Sequence, residues 1–179
     1  MALMVLPQPL VDFLGAHVLV ERVATDETFA RRVLEDVVVE ECEDVLHAAA
    51  QGRWRKANTY SYDAARKAVE ALLQAHGWRV RNARGAHVAV VDAAALWLES
   101  ADEKAGPRIA ESFATSRKAR GDDEYPSARA PQRSDKELRP LALDNVRLVN
   151  AVREHLGLDV RPQIVPTQEN LSRRPERRQ

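Results

Sequence analysis

The sequence predicts an all-α fold, an antiparallel bundle of four to five core helices with an additional C-terminal helix. Three observations carry this. The chain holds 28 Ala and is 30% charged, and Ala is the strongest helix former. It has only seven Gly in 179 residues, few for a sheet protein with many tight turns. Apolar residues recur at three- and four-residue spacing in segment after segment.

The elements follow in order. Residues 9–22 are mostly apolar and form a first helix. Thr25 is an N-cap, with Asp26 and Glu27 in the first turn, where carboxylates suit the helix dipole. From there Phe29, Val33, Leu34, Val37, Val38, Cys42, Val45, Leu46 and Ala49 make one stripe, so the helix spans 26–51. The segment QGRWRKANTYSY breaks the pattern. A helix over 61–76 follows, with Tyr62, Ala65, Val69, Leu72, Leu73 and His76 in line and Gly77 as its stop. In that last turn His76 can face the terminal carbonyls. WRVRNARGAH is a basic connection. The next helix covers 87–102, with Val88, Val91, Ala95 and Leu98 inward. Gly106-Pro107 opens a helix over 108–120 that buries Ile109 and Phe113 and ends at Gly121, Tyr125 and Pro126. A capping box, Ser134 to Glu137, starts the last helix, which Pro140 kinks or restarts. Leu141, Leu148, Val149, Val152 and Leu156 are its stripe, and no strand is expected. Three units result: a bundle over 1–126, a linker and C-terminal helix over 127–158, and a flexible tail over 159–179. The tail carries Arg173, Arg174, Arg177 and Arg178. It shows no apolar period and is expected to be dispensable for folding.

Composition excludes several chemistries. A single cysteine, Cys42, gives no internal disulfide and no multi-cysteine zinc site, and within an apolar stripe it is a structural thiol. No apolar run reaches membrane-spanning length, and the start lacks a basic n-region, so the expected location is the cytoplasm. His17, His47, His76, His87 and His155 stand singly. No metal site and no cofactor motif is expected.

Net charge is zero, but unevenly distributed. Residues 21–50 hold three basic and nine acidic side chains, a net of −6; residues 51–90 hold eight and two, a net of +6. Either these blocks attract each other across two helices, or the basic block is an anion-binding face. In the later bundle Ile109, Phe113, Arg117, Arg120 and Glu124 follow one another at helical spacing. Two arginines continuing a core stripe must find carboxylates or open into a cleft that suits phosphate.

The segment YSYDAARKAVEALLQAHGWRVRNARGAH, with the later helix end SRKARGDDEYP, resembles the HEPN domains (higher eukaryote and prokaryote nucleotide-binding). The likeness rests on Tyr62, Ala65, Arg66, Ala68, Glu70, Ala71, Leu72 and Leu73, then Gly77, Trp78, Arg79 and His87, then Arg117, Arg120 and Tyr125. It covers roughly residues 25–126. It implies a helical bundle, often a homodimer, here through a face containing the fourth or fifth helix. It also implies metal-independent RNA cleavage, pairing with nucleotidyltransferase-like antitoxins, or phage defence. Ribonuclease members carry Arg-x(4–6)-His at the later helix end. There the arginine neutralises the phosphate and the histidine moves the proton. This chain departs at that point, because Arg120 is followed by GDDEYP without histidine. Arg81 and His87 match the spacing, at a frequency chance explains.

The expected function is therefore binding of RNA or a nucleotide. The candidate catalytic residues are Arg117, Arg120, Glu124, Tyr125 and His87, and the candidate nucleic-acid-binding residues are Arg66, Arg79, Arg81 and Arg84. The alternatives are a non-enzymatic protein–protein interaction module and an active metal-independent ribonuclease that sets Arg117 or Arg120 against His87 across a cleft.

Overall fold

A computed structural model of the chain describes residues 4–124 and 133–171, with the backbone alone for residues 122–124. The fold is all-α. The order is α1 (Gln8–Ala16), β1 (Val20–Arg22), α2 (Glu27–Arg32), a π turn (Val33–Val37), α3 (Val38–Ala50), α4 (Trp54–Ala75), β2 (Trp78–Val80), α5 (Ala86–Ala101), α6 (Gly106–Glu124), α7 (Asp135–His155) and a 3-10 turn (Pro162–Ile164).

The helix expected over 26–51 is present, but its cap is Asp26, whose carboxylate accepts the Phe29 N–H at 2.8 Å, not Thr25. Its stripe is also broken. Leu34, Val38, Cys42 and Val45 are fully buried, while Phe29 and Val37 are 37% and 43% exposed. The π turn is the reason. Its wider i→i+5 bonding, seen in Val38 N–H to the Val33 carbonyl, shifts the phase of the three/four pattern. Cys42 is buried, and burial raises its thiol well above the usual range.

α4 begins at Trp54, seven residues before the expected Ser61. Its first turns hide Asn58 and Ser61 in the core, polar residues that an apolar stripe does not reveal. Ser116 donates to Asn58 Oδ1 at 2.9 Å. Asn145 Nδ2 donates to Ser61 and Ser116 at 3.0 and 2.9 Å. This buried network ties α4, α6 and α7 into one register. Arg139 of α7 lies over Trp54, Asn145 meets Ser61, and His155 meets His76, so α4 and α7 run parallel. Sequential pairs such as α3–α4 and α5–α6 are antiparallel hairpins. α7 continues past Pro140 without restarting, and α6 runs through Gly121 to Glu124. Leu148, Val149, Val152 and Leu156 are buried as expected, and Leu141 is half-buried. On α5 Val91 and Leu98 face inward, but Val88 is 42% exposed.

Two short strands correct the sequence reading: α1 stops at Ala16 and residues 20–22 are a strand rather than the end of the first helix, and residues 78–80 are a strand rather than a plain connection. β1 and β2 pair antiparallel, with Glu21 opposite Arg79 and Arg22 opposite Trp78. Gly77 ends α4 at φ +78, as its position suggested, and turns the chain into β2. Residues 159–171 are not a flexible tail. Ile164 is fully buried and the Asp159 carbonyl is held by Arg153. Residues 173–178 lie outside the described residues.

His76 does not face the terminal carbonyls of its own helix. Its Nε2 sits 3.3 Å from His155 Nε2, and Trp97 closes edge-on against His155. Burial, then the neighbouring His155, pushes His76 down to about 4. Burial also lowers His155. A histidine whose folded pKa lies below its unfolded value binds its proton more readily in the unfolded chain. Its stabilising share is complete above about pH 6.5 and is lost as pH falls towards 4. Denaturant titrations should show stability dropping by on the order of 2 kcal/mol across that interval, allowing for solvent screening. His76→Gln should flatten the dependence.

Candidate functional site

A groove of about 670 Å³ opens between the α2–π turn, α4 and the β2–α5 connection. One wall is apolar, from Phe29, Val33 and Val37. The other is basic, from Arg66 and Lys67 of α4 and from Arg79 and Arg81. The π turn places the apolar wall. The short strand pairing places Arg79 and Arg81, because Arg79 is registered opposite Glu21.

These cations are not bare. Arg66 Nη1 donates to both oxygens of Glu70, at 2.8 and 3.0 Å, one helical turn on. Lys67 pairs with Glu41 of α3. Arg79 Nε and Arg81 Nε reach the two oxygens of Glu21, at 2.8 and 3.0 Å. Bonds from Arg79 and then Arg81 hold the Glu21 carboxyl below its ordinary range. The −6 and +6 blocks therefore meet across elements: Glu41 and Lys67 join two helices, as the pairing alternative expected, whereas Glu21 meets Arg79 and Arg81 at the strand pair. Arg84 is exposed on the connection before α5.

At one end of the groove three helices converge on a tyrosine. Tyr62 of α4 is fully buried and stacks on Phe113 of α6 at 5.3 Å. Its hydroxyl is 3.0 Å from His87 Nδ1, at the start of α5. The Arg120 guanidinium of α6 lies 5.7 Å over the same ring, with Nε 3.5 Å from Asp63. Asp63 also lies 3.9 Å from Arg66. Arg117, one turn earlier on α6, is half-buried, and its charge bears on the Tyr62 hydroxyl with those of Arg66 and Arg120.

The electrostatics follow from this packing. Burial pushes the Tyr62 phenol up to about 12, so it keeps its proton. Partial burial first, then the Arg66 and Arg120 charges, lower His87 below the ordinary imidazole value. His87 is otherwise exposed at the rim. It is neutral at pH 7, with Nδ1 engaged by Tyr62 and the far edge of the ring open. If the phenol donates to Nδ1, Nε2 carries a proton to give. If the imidazole donates, Nε2 is a base.

His87, Arg66, Arg117 and Arg120 are thus brought together, Arg79 and Arg81 lie farther along the groove, and Arg84 stands apart. Glu124 ends α6, its side chain not described, and Tyr125 lies outside the described residues. Tyr62 and Asp63, central to the geometry, were not among the candidate site residues. A buried tyrosine hydroxyl needs a partner, and that rule was the available signal. Among the described residues no group of three metal-capable side chains assembles, and no helix is long and apolar enough to cross a membrane. No family model, curated protein or solved structure matches the chain.

Proposed function

We propose that this chain is a HEPN-like helical protein that binds RNA or a nucleotide where Tyr62, His87 and Arg120 meet. Its setting would be toxin–antitoxin or phage-defence biology. The carrying observation is that the two far ends of the α5–α6 hairpin bring His87 and Arg120 onto one tyrosine. Their chemistry is complementary. Arg120 supplies a permanent planar cation for a phosphate. His87, neutral at pH 7, can take a proton from a 2′-hydroxyl and return one to a leaving oxygen. The ribonuclease resemblance expects these roles within one Arg-x(4–6)-His stretch; here two helices supply them. Metal-independent ribonuclease activity is the enzymatic form of this reading. A homodimer and a nucleotidyltransferase-like antitoxin belong to the same proposal.

Phosphate must compete with Asp63 and Glu70 for the arginines, so binding should be moderate and salt-sensitive. A labelled short RNA, incubated with the protein in chelator, tests the reading. Arg120→Ala should weaken binding about tenfold, some 1.4 kcal/mol. His87→Ala should bind but lose any cleavage. Unchanged binding in folded Arg120→Ala would reject the site. The second reading, an interaction module, draws on the exposed Phe29 and Val37 of the apolar wall. Absence of RNA binding by the wild-type protein would favour it.

A further inference from the structure

We infer that the end of the bundle where α4 and α7 begin is a second binding surface, and that it takes a single-stranded nucleic acid. Because these helices run parallel, their first turns share one end. Arg53, Arg55 and Lys56 stand at the start of α4, and Lys136 and Arg139 at the start of α7, all exposed. Two aromatic side chains lie among them. The Arg139 guanidinium sits 5.4 Å over the Trp54 ring, and Lys56 Nζ sits 5.1 Å over Tyr60. A depression of about 440 Å³ opens against Arg53, Trp54, Lys56 and Thr59.

The contrast with the groove decides the argument. There, Arg66, Lys67, Arg79 and Arg81 each already hold a carboxylate. At this end two of the cations rest on ring faces. Among the described residues, none of Arg53, Lys56, Lys136 and Arg139 has a carboxylate within 4.0 Å. Of the nearby acids, Glu137 is committed to the Ser134 cap through its Oε2, and Asp135 lines the depression. Net positive charge therefore remains for a ligand.

The aromatic component selects the ligand class. Nucleic-acid bases stack on ring faces and on guanidinium planes, while phosphates meet the cations between them. An acidic peptide would use the cations alone. A membrane surface would need exposed apolar anchors, and the large exposed apolar residues Met4, Val5, Val18, Phe29, Val37 and Val88 all belong to other segments. Lys56, Tyr60, Asp63, Lys67 and Glu70 also recur at four- and three-residue steps. They form one face of α4 that runs from this end to the groove over about 20 Å. This surface goes beyond the proposed site and would bind whether or not the groove does.

Fluorescein-labelled oligouridylate of twelve residues, followed by anisotropy, is the probe. In the combined variant Arg53→Ala, Lys56→Ala, Arg139→Ala, all at exposed positions, affinity should fall at least tenfold. The slope of log affinity against log salt should become shallower by about 2, since each lost phosphate contact on a single strand removes about 0.7. A second readout is tryptophan fluorescence. Trp78 and Trp97 are buried, so unlabelled oligouridylate should quench through Trp54. That quench should survive the double variant His87→Ala, Arg120→Ala. Three results would overturn the inference: no quench in the wild type, equal affinity in the folded triple variant, or equal quenching by a poly-glutamate peptide, which would assign the surface to an acidic protein. Loss of binding in Arg120→Ala with no change in the triple variant would leave the groove reading standing and end this one.

Discussion

Gly106→Ala should destabilise the protein by about 3 kcal/mol and lower its melting temperature by roughly 10 °C. The reason is space rather than backbone conformation, since Gly106 is not among the glycines of positive φ. A Cβ at this position would fall 2.1 Å from the Leu98 carbonyl oxygen and 2.7 Å from its carbon. The obstacle is backbone, so no rotamer relieves it. The turn is also tightly held. Gly106 N–H donates to the Asp102 carbonyl at 2.7 Å, and Asp102 Oδ1 accepts from the Lys104 and Ala105 N–H groups at 3.0 and 2.9 Å. α5 and α6 must then separate at their joined ends. That motion tilts the two helices that carry His87 and Arg120, so ligand binding should weaken even in the folded fraction. Gly121→Ala is the control in the same helix. Nothing lies within 4 Å of its Cβ position, and the exchange should stabilise by about 0.5–1 kcal/mol. Chemical denaturation of the two variants side by side checks both signs.

Arg153→Ala should cost about 3–4 kcal/mol, the largest single-site effect expected outside the hairpin. Arg153 is 1% exposed. Its Nη1 donates to the Leu34 carbonyl at 2.8 Å, and its Nη2 and Nε donate to the Asp159 carbonyl at 2.8 and 3.2 Å. Leu34 belongs to the π turn, so this arginine ties the turn that shapes the apolar groove wall to α7 and to the segment after it. Truncation leaves two carbonyls without their donors and opens a cavity. Arg153→Met retains most of the volume and should cost less than Arg153→Ala; the difference between them measures the cavity. Denaturant midpoints at pH 7 provide the numbers. Equal, near-zero losses would show that Arg153 is not the tie.

The all-α class and the ends of α3 and α4 were legible because they rest on spacing and on the glycines that follow those helices, Gly52 and Gly77. The charge blocks were legible too, since Glu21 and Glu41 hold Arg79, Arg81 and Lys67 across elements. Other features were hidden for identifiable reasons. The start of α4 was not legible because Asn58 and Ser61 are core residues of polar type, hydrogen-bonded by Ser116 and Asn145 from distant helices. The π turn changes helical phase without a marker residue, so the three/four spacing places Phe29 and Val37 in the core although both are exposed. The WRV segment read as a connection because its strand exists only through a partner near residue 21. For the site, Arg117 and Arg120 announced themselves as cations on a buried stripe. Their meeting with His87 did not, because it depends on the α5–α6 turn bringing both helix ends to Tyr62.

The measurement that bears most directly on that meeting is an NMR titration of the His87 imidazole in the wild type and in Arg120→Gln. The structure requires a wild-type pKa below the ordinary histidine value of about 6.5. Partial burial and the Arg66 and Arg120 charges cause this depression. The value should rise in Arg120→Gln, where one of those charges is gone, and the Tyr62 hydrogen bond should appear as a fixed Nδ1 environment in both proteins. An ordinary His87 pKa, identical in the two proteins, would contradict the convergence of His87 and Arg120 on Tyr62.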